Sequence, residues 1–210
     1  MSMREQGATC LDRPPVPVAL PLLALVAISF VTPAQAQQFN VPSSATSAIV
    51  DQTNAYRREK GLAPLSESAG ASQEAQAYAT YLAETKKTGH RADGRDPFQR
   101  LRASGVKFCK FRGENWHESW TRPNRASPDA AMAAAMRFWK HSPGHERALR
   151  SASTEIGVGV AGWKHGNQWY YQEIQLFIDT SSLKGAKPAA SGDNEDVLPS
   201  LPDRNPGRLP

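Results

Sequence analysis

Apolar residues along this chain follow three different patterns, and each predicts a different kind of element. Ala71, Ala75, Tyr78, Ala79 and Leu82 recur at helical spacing, with Lys86 and Lys87 at the negative end and Gly89 placed as the stop. Met132, Ala135, Met136 and Trp139 form a second stripe of this kind, opened by Ser127 as N-cap and Pro128 in the first turn. That stripe is the inner face of a core helix. Ser142-Pro143-Gly144 opens a further short helix in the same way and places His145 in its first turn. Pro143 keeps His141 and His145 off one continuous helix, so their i,i+4 spacing does not make them a metal pair. Further along, the period drops to two. Ile156, Val158 and Val160 alternate with Gly157 and Gly159, Lys164-His-Gly-Asn167 turns the chain, and Trp169 to Ile178 supplies a long returning strand. With a first strand near Arg112 to Trp120 and helices before and after it, the pattern predicts an α+β domain, a sheet with helices on its faces.

The third pattern is an apolar run from about Val18 to Val31, preceded by Arg4 and Arg13 and followed by Ala34-Gln35-Ala36. This is the layout of a signal peptide over residues 1–36, with cleavage before Gln37. The run falls short of the ~17 apolar residues that a membrane span needs, and Pro21 interrupts it. A secreted or periplasmic protein with no transmembrane segment after cleavage is expected. Residues 37–43 read as a short linker and 44–183 as one domain, expected to be a monomer. From Lys184 to Pro210 the chain carries Pro188, Pro199, Pro202, Pro206 and Pro210 and no aromatic residue, which reads as a disordered tail.

Composition adds two constraints. Cys10 leaves with the signal peptide, so Cys109 stands alone and the domain must hold together without an internal disulfide. The formal charge of +5 is spread over Arg57-Arg58, Lys86-Lys87, Arg100, Arg102, Lys107, Lys110 and Arg112. It reads as a solvated face with, at most, long-range attraction to an anionic envelope surface, and it does not point to nucleic acid.

Several large enzyme classes lose their support. Gly157-Val-Gly159-Val-Ala-Gly162 formally matches a dinucleotide fingerprint, but a strand continues where a helix N-terminus should receive the pyrophosphate. The glycines are better explained by another layer approaching the sheet closely. No His-Glu-x-x-His, phosphate-loop glycine motif, Gly-x-Ser-x-Gly elbow or paired Cys-x-x-Cys occurs. Cys109, between Phe108 and Phe111, reads as a small hydrophobe rather than a nucleophile, although Lys107, Lys110 and Arg112 stand near it in sequence.

What remains is a scattered set: Gly89-His90, Gly113-Glu114-Asn115, Trp139-Lys-His-Ser-Pro-Gly-His145 and Ile156-Gly-Val-Gly-Val160. Taken singly, His90 fits a solvated loop residue, Glu114 a partner of nearby backbone and His145 an exposed helical residue. In this order, with Asn54-Ala-Tyr-Arg57, Gly61-Leu-Ala-Pro-Leu65, Asp93 to Arg100 and Gln175-Leu-Phe177, the set resembles the bacterial branch of the CAP superfamily. That superfamily comprises cysteine-rich secretory, antigen 5 and pathogenesis-related proteins. The resemblance covers about Ser44 to Asp179 and implies a three-layer α-β-α sandwich with a central antiparallel sheet. It also implies that His90, His145 and Glu114 meet in one polar, solvent-accessible cavity.

Two imidazoles and a carboxylate form either a three-ligand site for a weakly held divalent metal, zinc in first place, or a metal-free hydrogen-bonded cluster. In the second case Glu114 orients an imidazole or a water. Many CAP proteins carry a second acidic residue shortly after the tryptophan that matches Trp139, where this chain has Ser142. Glu173 is a further candidate for the cavity, and Trp116-His117-Glu118-Ser119-Trp120 reads as packing with a polar rim. Two functions follow. One is a binding module whose cavity and adjoining groove take a metal ion, a lipid or another envelope ligand. The other is a metal-dependent, peptidase-like hydrolase with Glu114 as the base for a metal-bound water.

Overall fold

Helix α1, Ser43–Glu59, is followed by a two-residue strand β1, Ser66–Glu67, and by α2, Ala69–Thr85. Then come α3, Pro97–Ala103, and the long strand β2, Lys110–Thr121. Helices α4, Pro128–His141, and α5, Pro143–Leu149, precede a hairpin of β3, Glu155–His165, and β4, Gln168–Asp179. This computed structural model describes residues 43–121 and 127–184. The expected signal peptide lies outside them, as do the expected linker and tail apart from Ser43 and Lys184. Among the described residues no helix is long and apolar enough to cross a membrane.

The sheet runs β1-β3-β4-β2. Its three long strands are antiparallel, and β1 joins β3 in parallel through only two residue pairs, Ser66 with Glu155 and Glu67 with Ile156. Side chains on the two faces of the sheet build two separate cores. Ile156, Val158, Val160, Tyr171 and Phe177 pack with Met132, Met136, Trp139 and Leu149 from α4 and α5 and with Ile49 from α1. On the other face Trp116, Ile174, Leu176 and Ile178 pack with Ala71, Ala75, Ala79 and Leu82 from α2 and Leu101 from α3. The result is the α-β-α sandwich, mixed α+β, with the sheet buried on both sides.

Local chemistry explains most element ends. Ser127 caps α4 through its hydroxyl, which accepts from Ala130 N at 3.2 Å. Asp96 and Gln99 form a reciprocal capping box at the start of α3, with Pro97 in the first turn. The end of α2 differs from expectation. The helix closes at Thr85 with Lys86, a non-glycine residue, left-handed at φ 58°, well before Gly89. Contacts compensate this backbone: the Lys86 ammonium donates to Ala83 O and sits 4.3 Å from the centre of the Trp163 ring. His90 therefore belongs to a turn beyond the helix, not to its terminus.

The glycines of β3 act as the sequence pattern predicts. A Cβ on Gly157 would lie 2.3 Å from the backbone carbon of Ala71, and one on Gly159 would lie 2.2 Å from that of Ala75. With α2 this close, its side chains reach the strand backbone. Gln76 accepts from Val160 N at 3.0 Å and donates to Val160 O at 2.9 Å, while Ser72 accepts from Val158 N at 3.1 Å. These bonds satisfy β3 beyond the point where β1 ends.

Two of the cations assigned to a solvated face are buried instead. Arg57 is 3% exposed and Arg100 1% exposed. The Arg57 guanidinium donates to the carbonyls of Ala63, Leu149 and Ser151, bonds that only the tertiary fold supplies.

Gly159→Ala should destabilise the domain by about 1–3 kcal/mol or more, because α2 must retreat from the strand. Chemical denaturation of the variant measures this, and an unchanged midpoint would contradict the close approach.

Candidate functional site

A β-bulge aims the site. The β2–β4 register shifts between Phe111 and Gly113, and Gly113 takes φ 140°, a conformation that favours glycine. Beyond the bulge, Glu114 and Trp116 face α2 and α3, while Asn115 and His117 face α4 and α5. Each residue of Gly113-Glu114-Asn115 thus has its own task.

Glu114 has no idle oxygen. Its Oε1 lies 2.8 Å from His90 Nδ1, and its Oε2 accepts from Arg100 Nη2 at 2.6 Å. Arg100 also donates to the carbonyls of His90 at 2.8 Å and Arg95 at 3.0 Å, and to Asp93 Oδ1 at 3.3 Å. Its guanidinium lies 3.4 Å from the centre of the Tyr78 ring. Tyr78 in turn donates to Gly89 O at 2.6 Å and accepts from Ala92 N at 3.1 Å. The turn carrying His90 is therefore clamped from both sides.

Asn115 reaches the other face, where its Nδ2 donates to His145 O at 3.3 Å and to Gln175 Oε1 at 3.0 Å. His145 lies in the first turn of α5, and its Nδ1 is 2.7 Å from Ser142 Oγ. Ser142 has the backbone of an N-cap but makes no side-chain cap bond, so its hydroxyl is committed to the imidazole. The rings of His90 and His145 stack at 6.3 Å with 27° between their planes.

The three expected residues thus come together, but as anchored imidazoles and an anchor rather than three open donors. His90, Glu114 and His145 are each more than nine-tenths buried, where solvent-accessible positions were expected. His145 Nε2 is buried without a hydrogen-bond partner. Burial pushes this imidazole down to about 4, and the neighbouring His90 and His117 act in the same direction. Among the described residues no group of three or more His, Cys, Asp or Glu stands where it could hold a metal ion. His141 is exposed and bonds Arg137 O at 2.7 Å, apart from the site, as the Pro143 break requires.

Sequence reasoning missed one feature. His117 Nδ1 lies 3.2 Å from Glu173 Oε2, Ser119 Oγ donates to Glu173 Oε1, and Glu173 is fully buried. The direct cross-strand pairing of His117 with Glu173 creates this cluster, and only the register reveals it. The expected polar rim of Trp116–Trp120 is largely turned inward: Glu118 accepts from Gln172 Nε2 at 2.7 Å, and Trp116 donates to Gln172 Oε1 at 2.7 Å.

The sequence model of the cysteine-rich secretory protein family, CAP, matches residues 50–174. The chain belongs to this family. Among curated proteins no match was found. Solved structures similar to this CAP protein include an outer surface protein of Borrelia burgdorferi, 17% identical over 67% of this chain and 98% of that one, with a TM-score of 0.49. An extracellular Bacillus anthracis protein containing an SCP domain is 20% identical over 71% of this chain and 44% of that one, with a TM-score of 0.48. The CAP domain of enterococcal PrgA is 16% identical over 77% of this chain and 71% of that one, with a TM-score of 0.46. This CAP chain thus spans less than half of the Bacillus protein.

The depressed imidazole has a stability consequence. The unfolded chain takes up a proton on His145 near pH 6.5, whereas the folded chain refuses it until about 4. Stability is therefore lost as pH falls through this window, by about 2–3 kcal/mol from this group at pH 4.5. Denaturation of the wild type and His145→Asn at pH 7 and pH 4.5 measures it. The variant should lose less stability on acidification, and equal losses would contradict the buried neutral ring.

Proposed function

We propose that this CAP protein is an extracytoplasmic binding module rather than a hydrolase, with the anchored imidazoles of His90 and His145 as its recognition centre. The observation that carries this reading is the commitment of both Glu114 oxygens, one to His90 and one to Arg100. A general base needs an oxygen within reach of a water, and the Glu114 side chain is 1% exposed with each oxygen already engaged. Export is supported by the charged start, apolar run and Ala34-Gln35-Ala36 of residues 1–36.

The metal reading narrows accordingly. Glu114 does not fit a ligand, because its two oxygens are already engaged by His90 and Arg100. Two imidazoles whose Nδ1 atoms are held by a carboxylate and a hydroxyl fit the usual arrangement of ligating histidines and their supports. A zinc ion would be held by His90 and His145 alone, and therefore weakly. Its chemistry would be Lewis acidity, with Glu114 and Ser142 fixing the rings. An envelope lipid or similar ligand for an adjoining groove belongs to the same reading, as a partner of the binding module.

Calorimetry with Zn²⁺ tests this. Ser142→Ala removes the anchor of His145 without removing a helix cap, and affinity should fall roughly 10–100-fold. His145→Ala should abolish binding. Wild-type affinity in both variants would overturn the site, and a metal-dependent hydrolysis lost in Glu114→Gln would favour the enzyme instead.

A further inference from the structure

Two large apolar side chains are exposed among the described residues, Phe98 at 36% and Leu183 at 38%. Phe98 and Arg102 stand one turn apart on α3, away from the buried Arg100 and Leu101, and the Arg102 guanidinium lies 5.6 Å from the centre of the Phe98 ring. The same ring meets Phe108 at 5.9 Å and Phe111 at 6.2 Å, where β2 begins. Lys107 and Lys110, the chain neighbours of Phe108 and Phe111, are exposed, as is Arg102. Asp96, the carboxylate at the start of α3, is already committed to the capping box. This is an aromatic ledge with a basic rim. The chain also leaves the domain beside it: Lys110 pairs with Asp179, and Cys109 N donates to Asp179 O at 2.8 Å. The end of β4, which leads on to Leu183 and residues 184–210, thus lies against the start of β2.

We infer that the ledge is the docking surface for residues 193–201 of the same chain, Asp193-Asn-Glu-Asp-Val-Leu-Pro-Ser-Leu201. Charge and spacing both select this segment. Its three carboxylates, Asp193, Glu195 and Asp196, run straight into Val197, Leu198 and Leu201 without a cation, whereas Lys184 and Lys187 precede it and Arg204 and Arg208 follow it. Negative charge for the basic rim and apolar side chains for the rings therefore come from one short stretch. Pro199 and Pro202 bias the residues before them, Leu198 and Leu201, toward extended backbone. At three residues per turn such backbone puts both leucines on one edge, the form in which proline-containing segments dock on aromatic surfaces. Residues 184–192 form the tether, nine residues that span up to about 30 Å. A tether this short holds the segment at an effective concentration on the order of millimolar, so weak contacts suffice to seat it. The inference stands independently of the histidine site.

The test uses the full chain as recovered after export, labelled with 4-fluorophenylalanine and observed by ¹⁹F NMR with a soluble paramagnetic agent. Phe98→Leu assigns the Phe98 signal. Two variants are compared with the wild type, one with Asp193→Lys, Glu195→Lys and Asp196→Lys together and one with Leu198→Ser and Leu201→Ser together. Each should raise the paramagnetic broadening of Phe98 by a factor of about three or more, at every protein concentration, while the signal of the buried Phe177 stays unchanged and reports an intact fold. Equal broadening of Phe98 in the wild type and both variants would overturn the docking. Protection that disappears on dilution would place a second copy on the ledge and overturn it as well. Exposure of Phe98 in only one of the two variants would overturn the joint recognition by charge and leucines.

Discussion

The ion pair between Arg100 and Glu114 is the constraint on which the rest of the site depends. Both side chains are buried, and the guanidinium also closes bonds to the His90 and Arg95 carbonyls while lying on Tyr78. One side chain thus ties α2, α3, β2 and the turn of His90 into a single body. Taking two charges out of water is expensive, so a buried pair is not in itself a source of stability. Here it fixes where things are. Removing one partner would strand the other charge, at a cost of roughly 3–5 kcal/mol.

That fixing separates two jobs that a carboxylate and an imidazole can share. Glu114 holds His90 and is itself held, so in the proposed binding module recognition falls to ring nitrogens. The same division recurs on the opposite face of β2, where Glu173 holds His117 and Ser119 holds Glu173. Ser142 shows that the anchor need not be charged, because its hydroxyl orients His145 through one hydrogen bond. The bulge at Gly113 decides which residues of β2 serve which face.

Much of the fold was legible because period and capping are local. The stripe of α4, its Ser127 cap, the break at Pro143, the β3–β4 hairpin and the close-packing glycines all follow from neighbouring residues. The meeting of His90, Glu114 and His145 was legible only through the family resemblance. Arg57 and Arg100 were misjudged because an arginine in sequence looks solvated until tertiary carbonyls and carboxylates gather round it. The pairing of His117 with Glu173 was hidden for a different reason. Strand β2 is buried on both faces, so its side chains show no alternation of apolar and polar, and a cross-strand pair requires the register. The early end of α2 at Lys86 likewise depends on Trp163, far along the chain.

The most direct measurement is a double-mutant cycle on stability with Arg100→Met, Glu114→Leu and both together. If the pair is the constraint described, each single variant is strongly destabilised and the double variant is far less so than their sum, with a coupling of about 2 kcal/mol or more. Costs that add to within about 0.5 kcal/mol would show the two residues acting independently, and would contradict the account.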